Sequence, residues 1–142
     1  MRFTQLIAFL AVCFTGVGCA YIYGPREQVK AFANDKDDLI LAISKKVEPA
    51  PNLAGVAEAQ KLVDAKKDSL QAQRQAIYNA NPGIISNWRS TLLDTQINDR
   101  KMFQTINLKL MTDCKDSRED VRKKFAEVED SFNKATKLPG EI

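Results

Sequence analysis

Residues 117–136, SREDVRKKFAEVEDSFNKAT, determine the fold class of this chain. Their apolar residues recur three and four positions apart, at Val121, Phe125, Val128, Phe132 and Ala135. This spacing places them on one face of an α-helix and leaves the charged residues on the others. Ser117, with Asp120 three residues later, resembles a capping box at a helix start, with aspartate in place of the usual glutamate or glutamine. The sequence Leu138-Pro139-Gly140 ends the helix.

Three further helical stretches precede this one, and proline-containing segments separate them. Pro25 opens the first at a position where proline is favoured, and the two prolines within 48–52 end it. The second runs from about 53 to 79, and Asn81-Pro82-Gly83 separates it from the third, which extends to about Met111. The second helix has its large apolar residues at seven-residue intervals, at Val56, Val63, Leu70 and Ile77.

Polar residues interrupt the apolar stripes of the first and third helices. In the first helix Lys36 interrupts a stripe formed by Val29, Phe32, Leu39, Ile43 and Val47. In the third, Thr95 and Asp99 interrupt a stripe formed by Ile85, Trp88, Leu92, Met102, Phe103, Ile106 and Leu110. We expect Asp99 to lie at the edge of its stripe and to reach water or a basic partner, with a functional carboxylate as the alternative.

Four helices joined by short connections predict an all-α fold, an antiparallel up-down-up-down four-helix bundle, because short loops make sequential helices neighbours. Since Lys36 weakens the stripe of the first helix, a three-helix bundle with a loosely attached first helix is the alternative.

The first nineteen residues have the three-part layout of a secretory signal. Arg2 precedes a nine-residue apolar run from Leu6 to Phe14, and small residues then lead to Gly16-Val17-Gly18-Cys19. This ending resembles the lipobox of bacterial lipoproteins, although Gly16 stands where that family usually has leucine. The resemblance implies that the signal is cleaved before Cys19 and that Cys19 carries fatty acid such as palmitate.

The predicted boundaries are a signal peptide at 1–18, a lipidated anchor and short tether at 19–24, and a helical bundle domain at 25–142. The resemblance implies an exported, lipid-anchored protein, in the outer membrane if the cell is Gram-negative, because Ala20 rather than aspartate follows the cysteine. Two alternatives stay open. Cleavage near Ala20 would give a secreted or periplasmic soluble protein without lipid, and residues 6–23, if uncleaved, approach the length of a membrane span.

The composition argues against several classes of site. The chain contains no histidine, which removes histidine-based general bases, nucleophile pairs and zinc sites. We find no phosphate-binding loop and no calcium loop, so no catalytic residue, cofactor or metal site is predicted. The net charge is only +3, and the basic runs are short and separated, so we predict no nucleic-acid partner.

Other candidate residues follow from the topology. An up-down-up-down bundle places Tyr21, Tyr23, Tyr78 and Trp88 at the membrane-proximal end. There they favour the headgroup region, or alternatively pack against the core. Cys114 lies at the opposite end from Cys19, too far for a disulfide. We expect Cys114 to be a free thiol, either a small buried hydrophobe or the site of an intermolecular disulfide.

Two function classes remain. The first is a membrane-anchored, non-catalytic envelope lipoprotein whose bundle binds an envelope protein or has a structural role. The second is a helical bundle that binds a small apolar ligand. Such a bundle needs a cavity of roughly several hundred Å³ in its core. An enzyme is not expected, because no catalytic constellation is recognisable.

Overall fold

The computed structural model describes residues 27–80 and 84–137, together with their side chains except those of 84–93. Within these ranges the chain forms four helices and no strand. The first helix, α1, covers 27–47. It is followed by α2 at Leu53–Ala80, α3 at Ile84–Asp113 and α4 at Arg118–Thr136.

The predicted all-α four-helix bundle is confirmed, and α1 is an integral part of it. Phe32 and Ile43 of α1 are 1% and 0% exposed. The alternative of a loosely attached first helix is therefore wrong. Lys36 of α1 pairs with Asp99 of α3, and Glu48, the residue after α1, pairs with Lys109 of α3, so the two pairs follow the same order along both segments. That order is consistent with up-down-up-down connectivity, and the full alternation of helix directions stays a prediction.

Among the described side chains, the apolar residues of the predicted stripes form the core, and the side chains of Ile85 and Leu92 lie outside the described ones. The buried residues of α4 are Val121, Phe125, Val128, Phe132, Ala135 and Thr136, and those of α2 include Val56, Val63, Leu70 and Ile77. From α3, Phe103 lies against Phe125 and Phe132, with ring centroids 5.8 and 5.1 Å apart and tilted planes. Tilted aromatic pairs of this kind add to the free energy gained by burying the rings.

The ends of α2 and α4 are capped by specific side chains. Ser117 accepts a hydrogen bond from Asp120 N at the start of α4, as the sequence predicts. At the start of α2, Asn52 Oδ1 accepts from Gly55 N at 3.0 Å. Gly55 lies so close to the preceding loop that a Cβ atom there would overlap the carbonyl oxygen of Ala50. The connection from α1 to α2 is therefore tightly packed against the first turn of α2.

Candidate functional site

A buried ion pair joins α1 to α3 inside the bundle. Lys36 Nζ lies 2.5 Å from Asp99 Oδ2, and the two side chains are only 3% and 8% exposed. Lys36 also donates to Thr95 Oγ1 at 3.5 Å, and its ammonium lies 5.6 Å from the centre of the Phe32 ring. Helix spacing explains the arrangement, since Thr95 and Asp99 are four residues apart and share one face of α3.

Burial sets the electrostatics of this pair. Removal of Asp99 from water raises its pKa, and the positive charge of Lys36 opposes that rise. Only one carboxylate oxygen of Asp99 is bonded to Lys36. The other, Oδ1, is buried and has no hydrogen-bond partner among the described residues. An unsatisfied buried carboxylate oxygen is costly, so this position calls for a physical explanation.

The ion pair belongs to a polar layer that crosses the whole bundle, which we define as Asp35, Lys36, Gln73, Arg74 and Asp99. Gln73 Nε2 on α2 donates to Asp35 Oδ2 on α1 at 2.6 Å. The Arg74 Nη1 atom donates to two carbonyl oxygens at the end of α4, those of Lys134 at 3.1 Å and Lys137 at 2.8 Å. The polar layer thus contacts all four helices at the level where α4 ends.

Unsatisfied polar atoms concentrate in the polar layer. The described side chains contain four buried polar atoms without a hydrogen-bond partner. Three of them belong to the polar layer, namely Gln73 Oε1, Arg74 Nε and Asp99 Oδ1. The fourth is Asn107 Oδ1 on α3. Because native proteins satisfy most buried polar atoms, such a concentration distinguishes this level of the bundle from the rest of the core.

A cleft between α3 and α4 adjoins the polar layer, and Asp99 forms part of its wall. Its volume is about 220 Å³. The α3 side contributes Gln96, Asp99, Arg100 and Phe103, and the α4 side contributes Glu129, Asn133, Thr136 and Lys137. All of these except Phe103 carry a polar side chain. The cleft can therefore hold a small polar molecule through hydrogen bonds and opposite charges.

The arrangement offers binding groups rather than a recognisable catalytic set. The cleft holds two carboxylates and two cationic side chains, and the chain has no histidine to act as a base near neutral pH. Among the described residues, no three acidic or cysteine side chains converge in a way that could hold a metal ion.

Of the site residues predicted from the sequence, only Tyr78 and Cys114 have described side chains, and neither belongs to the polar layer. Cys19, Tyr21 and Tyr23 lie outside the described residues, and the Trp88 side chain does too, although its backbone belongs to α3. Tyr78 on α2 is 36% exposed.

Cys114 lies in the connection between α3 and α4. It is half-buried against the core, and its thiol donates to Asp116 O at 3.4 Å. It forms no disulfide with any described residue.

The polar layer was not predicted from the sequence, and one expectation about it needs correction. Asp99 does have a basic partner, but it does not lie at the edge of its stripe, since it is 5% exposed. Lys36 does not weaken α1, because the carboxylate of Asp99 compensates its charge inside the core. A signal was present in the sequence. Lys36 and Asp99 each interrupt an otherwise apolar stripe with a charge, and the two charges have opposite signs.

Within the described residues, none of the helices combines the length and the apolar character that crossing a bilayer requires. No protein-family model, curated protein or solved structure matches this chain.

Proposed function

We propose that this protein is a membrane-anchored, non-catalytic envelope lipoprotein whose helical bundle binds another envelope protein. One observation carries the proposal: an apolar run and a small-residue segment end directly on Cys19, in the sequence Gly16-Val17-Gly18-Cys19. Acyl chains on Cys19 would hold the protein at the membrane, since each buried methylene contributes about 0.8 kcal/mol. Ala20 after the cysteine favours the outer membrane in a Gram-negative cell.

The short tether supports a role close to the bilayer. Only residues 20–24 separate the anchor from Pro25, and five extended residues reach at most roughly 17 Å. The start of the bundle would therefore lie close to the bilayer, and we expect the bundle to work near its own membrane.

The filled core favours protein binding over a carrier for an apolar ligand. Phe103 packs against both Phe125 and Phe132 in the buried core, where such a ligand would have to lie. The cleft beside Asp99 has a mostly polar lining, which does not suit an apolar ligand.

A surface for a protein partner is available on the outer face of α3. Ile97 and Leu108 are 44% and 69% exposed, and they lie three turns apart on the same side of the helix. Lys101 and Gln104 lie between them on that face and are exposed too. We take this face as the candidate contact for the partner, because docking there would remove both aliphatic side chains from water.

The anchoring is tested by metabolic labelling with a radioactive fatty acid. We expect the wild type to be labelled and Cys19→Ser to accumulate as an unlabelled precursor. Cys13→Ser and Cys114→Ser are matched controls, because they remove the other two cysteines and should leave labelling unchanged. Normal maturation of Cys19→Ser, or a mature N-terminus other than Cys19, would contradict the proposal.

The binding role is tested by photo-crosslinking in intact membranes. A photoreactive residue at Leu108 should give one discrete crosslinked protein, whereas the same residue at Lys123, which is exposed on α4, should not. Equal, diffuse crosslinking from both positions would contradict a specific partner on α3.

A further inference from the structure

The buried residues of α1 and α3 repeat with the same seven-residue spacing. In α1, Val29 and Ile43 lie seven residues on either side of Lys36, and they are 1% and 0% exposed. In α3, Ile106 lies seven residues after Asp99 and is 2% exposed. Seven residues make almost two turns, so this spacing returns to the same face of a helix. Apolar residues of α1 and α3 would therefore still face one another if one helix were displaced by seven residues along the other.

The buried residues of α2 and α4 repeat in the same way. Val63 and Leu70 of α2 are seven residues apart, and so are Val121 and Val128 of α4. Since α1 connects directly to α2, and α3 to α4, the bundle consists of a first helix pair (α1 and α2) and a second helix pair (α3 and α4). Apolar packing alone does not distinguish the observed alignment of the two helix pairs from one displaced by seven residues.

Lys36 and Asp99 do distinguish these alignments. In the observed alignment their charges meet, with Lys36 Nζ 2.5 Å from Asp99 Oδ2. A displacement of seven residues in one direction would place Lys36 opposite Ile106 and would place Asp99 opposite Val29. The opposite displacement would place Asp99 opposite Ile43. Either displacement leaves two uncompensated charges in the apolar core, which is strongly unfavourable.

The other polar contacts between the two helix pairs discriminate less strongly. The bond from Leu53 N to Asp116, the bonds of Arg74 to the end of α4, and the ion pair between Glu48 and Lys109 are all exposed. After a displacement, water can hydrogen-bond to the groups that have lost these contacts, so little free energy is lost. Water does not reach the Lys36 and Asp99 side chains in this way, because they are only 3% and 8% exposed.

We propose that the buried Lys36–Asp99 pair determines the register of the bundle, that is, which residues of the first helix pair lie level with which residues of the second. The inference goes beyond the proposed anchoring and docking on α3, and it depends on neither. In coiled coils a single polar residue at an apolar position fixes the alignment of the helices at a cost in stability. The same role explains why the core contains a charged pair with one unsatisfied oxygen, although an apolar pair could fill the space.

The test measures the distance between two spin labels by pulsed electron paramagnetic resonance. It uses the full chain in detergent, with serine in place of its three cysteines. Labels are attached through Lys45→Cys on α1 and Asp94→Cys on α3, both at exposed positions, and this labelled chain is the parent of all variants. A displacement of seven residues moves one helix along the other by about 10 Å, so each register gives its own distance. We expect one narrow distance for the parent and two or more for Lys36→Met/Asp99→Leu, with the helix content measured by circular dichroism unchanged.

Two further variants separate register from the loss of any ion pair. Glu48→Gln/Lys109→Gln removes the exposed ion pair between the same two helix pairs and should keep the single distance of the parent. Lys36→Ile/Ile43→Lys moves the lysine by seven residues, so that its charge meets Asp99 only in the displaced register. This variant should replace the parent distance with a different one, and it decides the question if Lys36→Met/Asp99→Leu does not fold. The proposal is overturned if Lys36→Met/Asp99→Leu or a folded Lys36→Ile/Ile43→Lys keeps the single parent distance, or if Glu48→Gln/Lys109→Gln broadens it as much.

Discussion

Leu53, the first residue of α2, donates its backbone N–H to the Asp116 carboxylate at 2.8 Å. Asp116 belongs to the connection between α3 and α4, so a residue 63 positions later caps the start of α2. The bond satisfies a backbone donor that has no partner within the helix. A carboxylate at a helix N-terminus also interacts favourably with the helix dipole.

Replacing Asp116 should therefore destabilise the bundle. We expect Asp116→Ala to lower the free energy of unfolding by about 1 kcal/mol, the usual cost of losing a side-chain cap. Chemical denaturation of the purified chain measures this. Asp113→Ala is the matched control, because Asp113 is exposed at the C-terminal end of α3, where the dipole disfavours an acid. A loss from Asp113→Ala as large as that from Asp116→Ala would show that the cap contributes nothing.

A double-mutant cycle on the buried ion pair should be strongly non-additive. Lys36→Met or Asp99→Leu alone leaves one uncompensated charge in the core, which costs about 3–5 kcal/mol. The double variant buries two apolar side chains instead and should recover most of that loss. Urea denaturation of the four proteins gives the coupling energy. If each single variant loses less free energy of unfolding than the double variant does, Lys36 and Asp99 do not depend on each other for stability.

The raised pKa of Asp99 gives a testable pH dependence. Burial raises this pKa above the ordinary value of 3.8, so the folded protein binds this proton more tightly than the unfolded chain does. The protonated Asp99 carboxyl therefore contributes its full stability below about pH 3.8. That contribution is lost as the pH rises through the raised pKa of the folded state. We expect the free energy of unfolding of the wild type to fall relative to that of Asp99→Asn as the pH rises, and denaturation of both proteins across this pH range measures the difference.

The comparison with Asp99→Asn separates Asp99 from other acids of the chain. The pKa of Glu48 is shifted in the opposite direction. Hydrogen bonds from Ser44 and Lys109 lower it, so the stability that Glu48 contributes is lost as the pH falls. Glu48 is the same in both proteins and cancels in the difference. A difference that instead moves in favour of the wild type with rising pH would show that attraction to Lys36 outweighs burial.

Gly55 should not tolerate a larger side chain. A Cβ atom there would overlap Ala50 O and lie 3.1 Å from Lys46 O, both backbone atoms of the segment before α2. We expect Gly55→Ala to cost about 1–3 kcal/mol, although alanine is about 1 kcal/mol better than glycine inside a helix. Ala57→Gly, at an exposed position of the same helix, serves as the control and should show only the propensity cost. An increase in melting temperature for Gly55→Ala would contradict the close approach.

The helices could be predicted from the sequence because their signals are local. Val63 and Leu70 are seven residues apart, and both are buried as that spacing predicts. Ile40 was not part of the predicted stripe of α1, yet it is 0% exposed. It lies beside Leu39, and both are buried because the buried face of α1 is wider than a single stripe.

The polar layer could not be predicted in the same way, because it depends on the relative rotation and register of separate helices. Nothing in the sequence around Asp35 indicates Gln73 as its partner, 38 residues away. The pairing of Lys36 with Asp99 is easier to predict from the sequence, because each is a lone charge in an apolar stripe and the two charges have opposite signs. The cleft also depends on how α3 and α4 pack against each other, which periodicity does not specify.

The contacts of α2 have a consequence for the time course of synthesis. The cap on Leu53 comes from Asp116, and the carbonyl groups that Arg74 binds belong to Lys134 and Lys137. A ribosome makes all three of these residues after α2 and α3 are complete. When α2 has just been made, the native partners of its first turn and of Arg74 do not yet exist, so α2 cannot reach its final packing until α4 has been translated.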